Sequence, residues 1–322
     1  MKTLKYICAQ PDELYFAWQV EVMLDNFLSF NIPPQDIHIL VAIDKSPSIW
    51  WHKLIEKYPS VGFYFYKDER MHKQYAPSIQ PYITSKHFER YPELTSEVIF
   101  YHDCDMIFTR EPRFESLLEG DTWYVSDTRS DYLSSKYICS KGENVFKDMC
   151  NLVGIHPAIV KINDNNVGGA QYIMKNVTSR FWDSVRFYSN SLYDYFNSID
   201  SDIQKWTAGM WAMLWTAWKQ EQDIRVHPYL GFAWATDTWP KWDTYPIYHN
   251  AGVVKEHEGK LFNKSDYRGE VPYFDYTSFD PQFCSYKYYQ EVIKTGRNTC
   301  LIDRGPNVQD LLNECKSIFI SV

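Results

Sequence analysis

No apolar run in the 322-residue sequence is long enough to span a bilayer, which takes about 20 consecutive apolar residues. The opening stretch, MKTLKYICAQPDELYF, has a basic start but neither a long apolar centre nor a small-residue cleavage site, so it reads as a first strand rather than a signal peptide. The expectation is a soluble, cytoplasmic protein with no membrane anchor. Positive charge is not in excess either: 33 Lys and Arg against 41 Asp and Glu leave a net charge of -8, which argues against broad binding to nucleic acid or anionic lipid. The seven cysteines (Cys8, Cys104, Cys139, Cys150, Cys284, Cys300 and Cys315) form no C-x-x-C pair and are odd in number. They suggest neither a zinc knuckle nor a complete disulfide framework and read as reduced thiols. Repeats, low-complexity tracts and linker-like stretches are missing, so a single domain over residues 1–322 is the simplest division.

Apolar residues make up 45% of the chain, enough for a substantial core, and aromatic residues 17%, with 12 Trp and 25 Tyr. Aromatic faces suit a packed core and also the stacking of sugars or bases. Over the first hundred residues strand and helix signals alternate. LKYICA, IHILVAID, VGFYFY and EVIFY are strand-like, while YFAWQVEVMLDNFLSF, WWHKLIEKY and SIQPYITSKHFERY have helical spacing, the last interrupted by Pro81. Such alternation predicts an α/β fold with a mostly parallel central sheet flanked by helices, and strands apolar on both faces fit a sheet covered on each side. Further on, RFESLLEGDTWYVSD predicts a helix and a strand, NVFKDMCNLVG a helix, AQYIMK a strand, and residues 203–220 a helix with Trp211, Trp215 and Trp218 on one face. The final fifty or so residues are Tyr-rich and less regular.

In such sheets ligands bind beyond the carboxyl ends of the strands. There the strand EVIFY runs into His102-Asp103-Cys104-Asp105. Two carboxylates this close repel each other unless a cation sits between them, and hard carboxylate oxygens are the ligands of Mg²⁺ or Mn²⁺ holding a diphosphate. A D-x-D triplet alone also occurs in ordinary turns; Asp200-Ser201-Asp202 has the same spacing in a polar stretch before a helix, where N-capping is the ordinary reading. The buried strand before Asp103 and the β/α units upstream set the first triplet apart. His249, in YPIYHNAGV just before a turn at Gly252, reads as a core histidine or, given the D-x-D, as a further metal ligand. Lys260, Lys264 and Arg268 in GKLFNKSDYRG form a cationic loop, either solvated surface or a cover for a diphosphate, with Lys264 the preferred contact. In NVGGAQ, Gly168 and Gly169 allow close backbone approach beside the Gln171 amide, or simply turn the chain. Trp234, Trp239 and Trp242 are candidates for stacking on a sugar ring.

The order of these features resembles the GT-A-fold, DxD-containing nucleotide-sugar glycosyltransferases. FAWQVEVMLDNF, YAPSIQPYI, FYHDCDMIF, GGAQYIMK, WTAGMWAMLW, HNAGV and FNKSDY are similar to segments of plant peptidyl-serine galactosyltransferases, hydroxyproline arabinosyltransferases and related viral enzymes, over roughly residues 1–270. The resemblance implies a UDP-sugar donor, a Mn²⁺ (or Mg²⁺) cofactor and a glycan or glycoprotein acceptor. Asp105 would be the principal metal ligand, Asp103 would reach metal or ribose, His249 would complete the ligands and Lys264 would bind the β-phosphate. Ala9, Gln10, Asp44, Tyr75 and Ser78 would surround the uridine, and Gly168, Gly169 and Gln171 would face the transferred sugar, with galactose or a pentose such as xylose or arabinose as guesses. Residues 1–127 would hold the donor, 128–270 the acceptor, and 271–322 would be a C-terminal extension.

Relatives tend to carry an acidic residue where this chain has Gly209 in WTAGMWA, which leaves the catalytic base open between Asp200, Asp202 and Asp237. Two other readings stand beside the transferase. A haloacid-dehalogenase-like phosphatase also places D-x-D after a strand, but on its first strand and with Thr or Val where Ile107 stands. A nucleotide-sugar or carbohydrate binder with weak or lost turnover would fit the glycine at 209.

Overall fold

The computed structural model describes residues 3–128 and 132–302. The part of the expected C-terminal extension after residue 302, with Cys315, lies outside them. The first half alternates as expected: β1 (Leu4–Pro11), α1 (Leu14–Ser29), β2 (Ile37–Ile43), α2 (Ile49–Lys57), β3 (Gly62–Lys67), α3 (Ile79–Arg90) and β4 (Val98–Tyr101). Pro81 falls in the first turn of α3, where its missing N–H has no helical partner to lose. Next come β5 (Met106–Phe108), β6 (Trp123–Asp127), α4 (Ser135–Ser140), α5 (Glu143–Val153), α6 (Pro157–Ile162) and β7 (Gly168–Lys175). The chain continues through α7 (Ser179–Ser198), α8 (Ala208–Lys219), β8 (Ile224–Val226), β9 (Phe232–Trp234), α9 (Pro240–Thr244), β10 (Ile247–His249) and α10 (Cys284–Gly296).

A seven-stranded sheet runs in the order β3-β2-β1-β4-β7-β6-β8. Strands β3, β2, β1 and β4 run parallel to one another, β7 is antiparallel to both β4 and β6, and β8 is parallel to β6. Side chains of one strand alternate between faces, and both faces are buried. Ile7 and Ala9 point into the core built with α3, α5, α7 and α8, and Tyr6 and Cys8 into the core under α1, α2 and α10. A second sheet of three strands, β5-β10-β9, packs into the latter core.

Several local expectations change. Between Arg113 and β6 there is one 3-10 turn, Glu115–Leu117, and no α-helix. The expected helix from residue 203 starts as a 3-10 turn, Lys205–Thr207, and becomes α-helical at Ala208, with Trp211, Trp215 and Trp218 buried as core. Asp200 and Asp202 cap neither segment: the caps are Gln204 and Thr207, and Asp202 is ion-paired to Lys141. Helix α7 was not legible in a stretch rich in Ser, Asn and Tyr, yet it buries Phe181, Trp182, Val185, Leu192 and Phe196 along one face. Among the described residues no helix is long and apolar enough to cross a membrane.

Candidate active site

Asp103 and Asp105 sit in the turn between β4 and β5, beyond the carboxyl end of β4. The turn is fastened from several directions. His102 donates through Nδ1 to the Asp103 carbonyl (2.9 Å) and lies against the rings of Phe27 and Phe100, where burial holds it neutral with its pKa down to about 4. On the far side, Asn26 of α1 exchanges two hydrogen bonds with the backbone of Phe108 (2.8 and 3.0 Å), acting as a one-residue strand partner that seats β5. Strand β10 then pairs antiparallel with β5, so His249 faces Met106 in register and the Asn250 N–H donates to the Asp105 carbonyl (2.9 Å). Gly252, at φ +89°, supplies the turn after β10.

This pairing brings the His249 imidazole to the aspartates: Nε2 lies 3.2 Å from an Asp105 oxygen and 3.7 Å from Asp103. One donor atom from each of Asp103, Asp105 and His249 lies within 4.8 Å of the others. Two carboxylates and an imidazole are a fitting donor set for a divalent ion such as Mn²⁺. The ring of Trp234 stacks parallel to His249 across the β9–β10 pair (6.2 Å, 8°). Asp103 also accepts a hydrogen bond from the Gln80 amide of α3 (3.2 Å).

The Lys264 ammonium is ion-paired to the second Asp105 oxygen. It comes from a 3-10 turn, Lys264–Tyr267, in which Asn263 caps Ser265 and Tyr267 is tied to α1 through its carbonyl and the Trp18 indole N–H (3.2 Å). Electrostatics in this cluster are strongly coupled. Burial pushes the Asp105 carboxyl up, but Lys264 and His249 outweigh it and hold it well below the usual carboxylate range. Burial and the facing Asp105 charge push the Asp103 carboxyl up, against the weaker opposing pull of His249, Lys264 and the Gln80 amide. For Lys264 and His249 burial disfavours the charge, and the Asp105 carboxylate more than offsets it, so both pKa values rise.

The cluster forms part of the wall of a cavity of about 440 Å³, a size typical of small-ligand sites. Of the donor residues expected from the sequence, Ala9, Gln10, Tyr75 and Asp103 line it, together with Lys264. Gln10 donates to the Leu40 carbonyl (2.8 Å) and keeps a buried amide oxygen without a protein partner. Ser78 does not reach the cavity, because Arg70 and the Tyr75 carbonyl take its hydroxyl (both 2.8 Å). Asp44 is exposed beyond β2, outside the wall.

The glycine segment behaves differently from expectation. The β6–β7 register shifts between Val125 and Ser126, a bulge that turns Ala170 (φ +67°) and Tyr172 to the cavity. Gln171 is fully buried and accepts a hydrogen bond from Ser126 instead, and Gly168 and Gly169 pack against Val125 and Met210. None of the three lines the cavity. Nor do Asp200, Asp202 or Asp237: the first two are exposed and Asp237 accepts from the Trp234 N–H (2.9 Å). Among the described cavity-lining residues the carboxylates are Asp103 and Asp105. At Gly209 the space an acidic side chain needs is filled by the Tyr75 phenol, which accepts from the Gly209 N–H (2.8 Å) and lies 3.1 Å from where a Cβ would stand. Trp234 lines the cavity, whereas Trp239 and Trp242 do not; Tyr15, Phe16, Gln19, Gln80 and Trp206 line it without having been singled out in the sequence.

Solved structures with this fold include the bifunctional glycosyltransferase WbbM, at 9% identity and a TM-score of 0.51, covering 97% of this chain and 51% of that one. The fold is that of a solved glycosyltransferase. The chain spans about half the length of the WbbM structure. Weaker likenesses are to the galactosyltransferase LgtC (10% identity, TM-score 0.46, covering 90% of this chain and 95% of that one) and to GlyE of Streptococcus pneumoniae (10%, 0.46, 93% and 62%). At such identities the likeness is one of fold only. No protein-family model and no curated protein matches the sequence. The mixed α/β, GT-A-like architecture expected from the sequence is thus the one found.

Proposed function

We propose that the chain is a metal-dependent glycosyltransferase that moves a sugar from a UDP-sugar to a hydroxyl of a glycan or glycoprotein acceptor. The observation that carries this reading is the convergence of Asp103, Asp105 and His249, from β4–β5 and β10, on one wall of a ligand-sized cavity with Lys264 beside them. Asp105 and His249 are the principal ligands of a divalent ion, with Asp103, more exposed at 37% of its side chain, on metal or ribose. When bound, such an ion offsets the charge of a diphosphate leaving group. Lys264 is placed to bind the β-phosphate, and Ala9 and Gln10 to border the nucleoside, whereas the Tyr75 phenol is taken by the Trp206 carbonyl and the Gly209 N–H. Ala170, rather than Gly168, Gly169 or Gln171, borders the transferred sugar; galactose, xylose and arabinose remain the donors to test first, in line with the resemblance to plant peptidyl-serine galactosyltransferases and hydroxyproline arabinosyltransferases.

Residues 1–127 supply most of the donor side and 128–270 the acceptor side, on one sheet shared through the β4–β7 pair. The binder reading is favoured by one observation, the Tyr75 phenol where relatives tend to hold an acid near residue 209. A panel of UDP-sugars assayed for slow UDP release, with and without chelator and with Asp105→Ala, tests the proposal. Release that vanishes on chelation and in the variant is the expected result. UDP and Mn²⁺ binding without release from any donor favours the binder. Phosphate release from simple esters without nucleotide favours the phosphatase.

A further inference from the structure

Trp206 is 56% exposed, and a single exposed aromatic residue is ordinary on a protein surface. Its surroundings are not ordinary. The Trp206 carbonyl accepts a hydrogen bond from the buried Tyr75 phenol (2.6 Å), which is itself held by the Gly209 N–H (2.8 Å), and Tyr75 leans on the ring of Tyr193 (4.8 Å). The indole meets the Tyr132 ring edge-on (5.2 Å, 61°). An aromatic plane is therefore fixed by its backbone and its neighbour while remaining open to solvent.

This plane is the partition between two hollows. On one side is the cavity bearing Asp103, Asp105 and His249. On the other is a groove of about 330 Å³ lined by Tyr75, Pro77, Tyr193, Gln74 and Lys205. The two hollows share Tyr75, Ala76, Pro77 and Trp206, so a ligand lying over the indole reaches into the cavity. The metal-ligand flank of the cavity packs, through Cys104 and Trp234, against the core on the α1 face of the sheet, whereas Tyr75, Tyr132 and Met210 pack against the core on the α8 face. Trp206 thus stands across the cavity from the residues assigned to the donor diphosphate.

The chemistry of the groove is specific. No carboxylate lines it among the described residues, its rings are Tyr75, Tyr193 and Trp206 beside Ala76 and Pro77, and its polar heads are the Gln74 amide and the Lys205 ammonium, the latter donating to Asn197 (3.2 Å). An open indole face with an amide and an ammonium at its rim suits a saccharide ring, whose C–H face packs on the aromatic plane while its hydroxyls meet the donors and acceptor at the edge. A divalent cation finds no carboxylate there among the described residues and faces the Lys205 ammonium, and a purely apolar ligand would leave the rim groups without use.

We propose that Trp206 and the groove behind it form the acceptor subsite, which takes the ring of a neutral saccharide stacked on the indole. The proposal rests on the glycosyltransferase reading above for the word acceptor, but the saccharide site is testable without turnover. Protein labelled with 5-fluorotryptophan, with the Trp206 resonance assigned through Trp206→Phe, is titrated with methyl β-galactoside, methyl β-xyloside, methyl α-arabinofuranoside, lactose and xylobiose. The expected result is that at least one of these shifts the Trp206 resonance and shows saturation transfer from the protein. In Trp206→Ala its affinity should fall about tenfold or more, while UDP binding in the presence of Mn²⁺ stays within about twofold. The subsite is overturned if none of the saccharides moves that resonance, if Trp206→Ala binds them as well as the parent, or if Trp206→Ala loses UDP binding, which would put the indole on the donor. Failure of the parent protein to bind UDP with Mn²⁺ sinks the transferase reading instead and leaves a shifted Trp206 resonance standing as evidence of a saccharide site.

Discussion

The Lys264 ammonium and the Asp105 carboxylate, 159 residues apart in sequence, form a half-buried ion pair inside the candidate metal cluster. A cation of the chain's own therefore already faces the carboxylates, and a divalent ion bound by Asp103, Asp105 and His249 must compete with it. Lys264→Met should accordingly bind Mn²⁺ alone more tightly, by about tenfold, because removing the ammonium leaves a carboxylate without its partner. The same variant should bind UDP more weakly in the presence of Mn²⁺, since the phosphate loses its lysine. Free-Mn²⁺ electron paramagnetic resonance and UDP calorimetry separate the two effects. Unchanged Mn²⁺ affinity would show that the lysine is no competitor.

Gln80 makes a second prediction. Its amide donates to Asp103 Oδ1 (3.2 Å) and so orients the more exposed of the two carboxylates. Groups that orient metal ligands typically contribute 10–100-fold to affinity, so Gln80→Leu should weaken Mn²⁺ binding by roughly tenfold, and Gln80→Asn by a similar factor, because its shorter side chain retracts the donor. Gln80→Glu should be intermediate or better, as it adds a carboxylate. A Gln80→Leu variant with parental Mn²⁺ affinity would remove the residue from the site.

Much of this was legible in the sequence, for identifiable reasons. Strands β1, β2 and β4 are buried on both faces, so they appear as continuous apolar runs, and Asp103 and Asp105 stand out where such a run stops. His249 was legible as a turn-flanked histidine whose significance depended on the aspartates. What was hidden is set by long-range pairing and register. Nothing local to Gln80 or Trp206 announces that each faces the cavity, and the Tyr75 bond to Gly209 spans 134 residues. Where the β6–β7 register shifts, Ala170 and Gln171 are two extra residues on β7, and Ala170 lines the cavity while Gln171 is buried away from it, a local irregularity that composition cannot reveal.

Tyr75 is expected to act on stability as well as on the site. Its phenol accepts from Gly209 N–H and donates to the Trp206 carbonyl (2.8 and 2.6 Å) while the ring is buried. Tyr75→Phe leaves both backbone groups without that partner, which should cost about 1–3 kcal/mol in urea unfolding. It should also loosen the start of α8 and broaden the Trp206 resonance. A loss well under 1 kcal/mol, on the order of a surface change, would mean that water replaces the phenol at no cost.

The last prediction concerns acid. His38 of β2 and His87 of α3 are buried with their rings joined, His38 Nδ1 to His87 Nε2 at 2.8 Å, and Tyr66 of β3 meets His87 Nδ1 at 2.6 Å. Burial lowers the His38 pKa to about 4, with Lys5 adding to the shift and Asp36 opposing it. Burial lowers His87 further, to about 2, assisted by His38 and Arg90. Both are neutral in the folded protein where an unfolded histidine, with its pKa near 6.5, takes up a proton. The unfolded state therefore binds more protons, stability rises with pH across this window, and it is lost as pH falls below about 6.5 towards about 4 for His38 and lower for His87. Between roughly pH 7 and pH 5 the two groups together should remove on the order of 2–4 kcal/mol. Urea midpoints measured across that range check the slope, and His87→Gln should lower it by the share of one histidine, roughly a third, because His38 and the likewise buried, neutral His102 still lack the proton that the unfolded chain takes up. An unchanged slope in that variant would assign the acid lability to other groups, the carboxylates paired in the folded state being the first to examine.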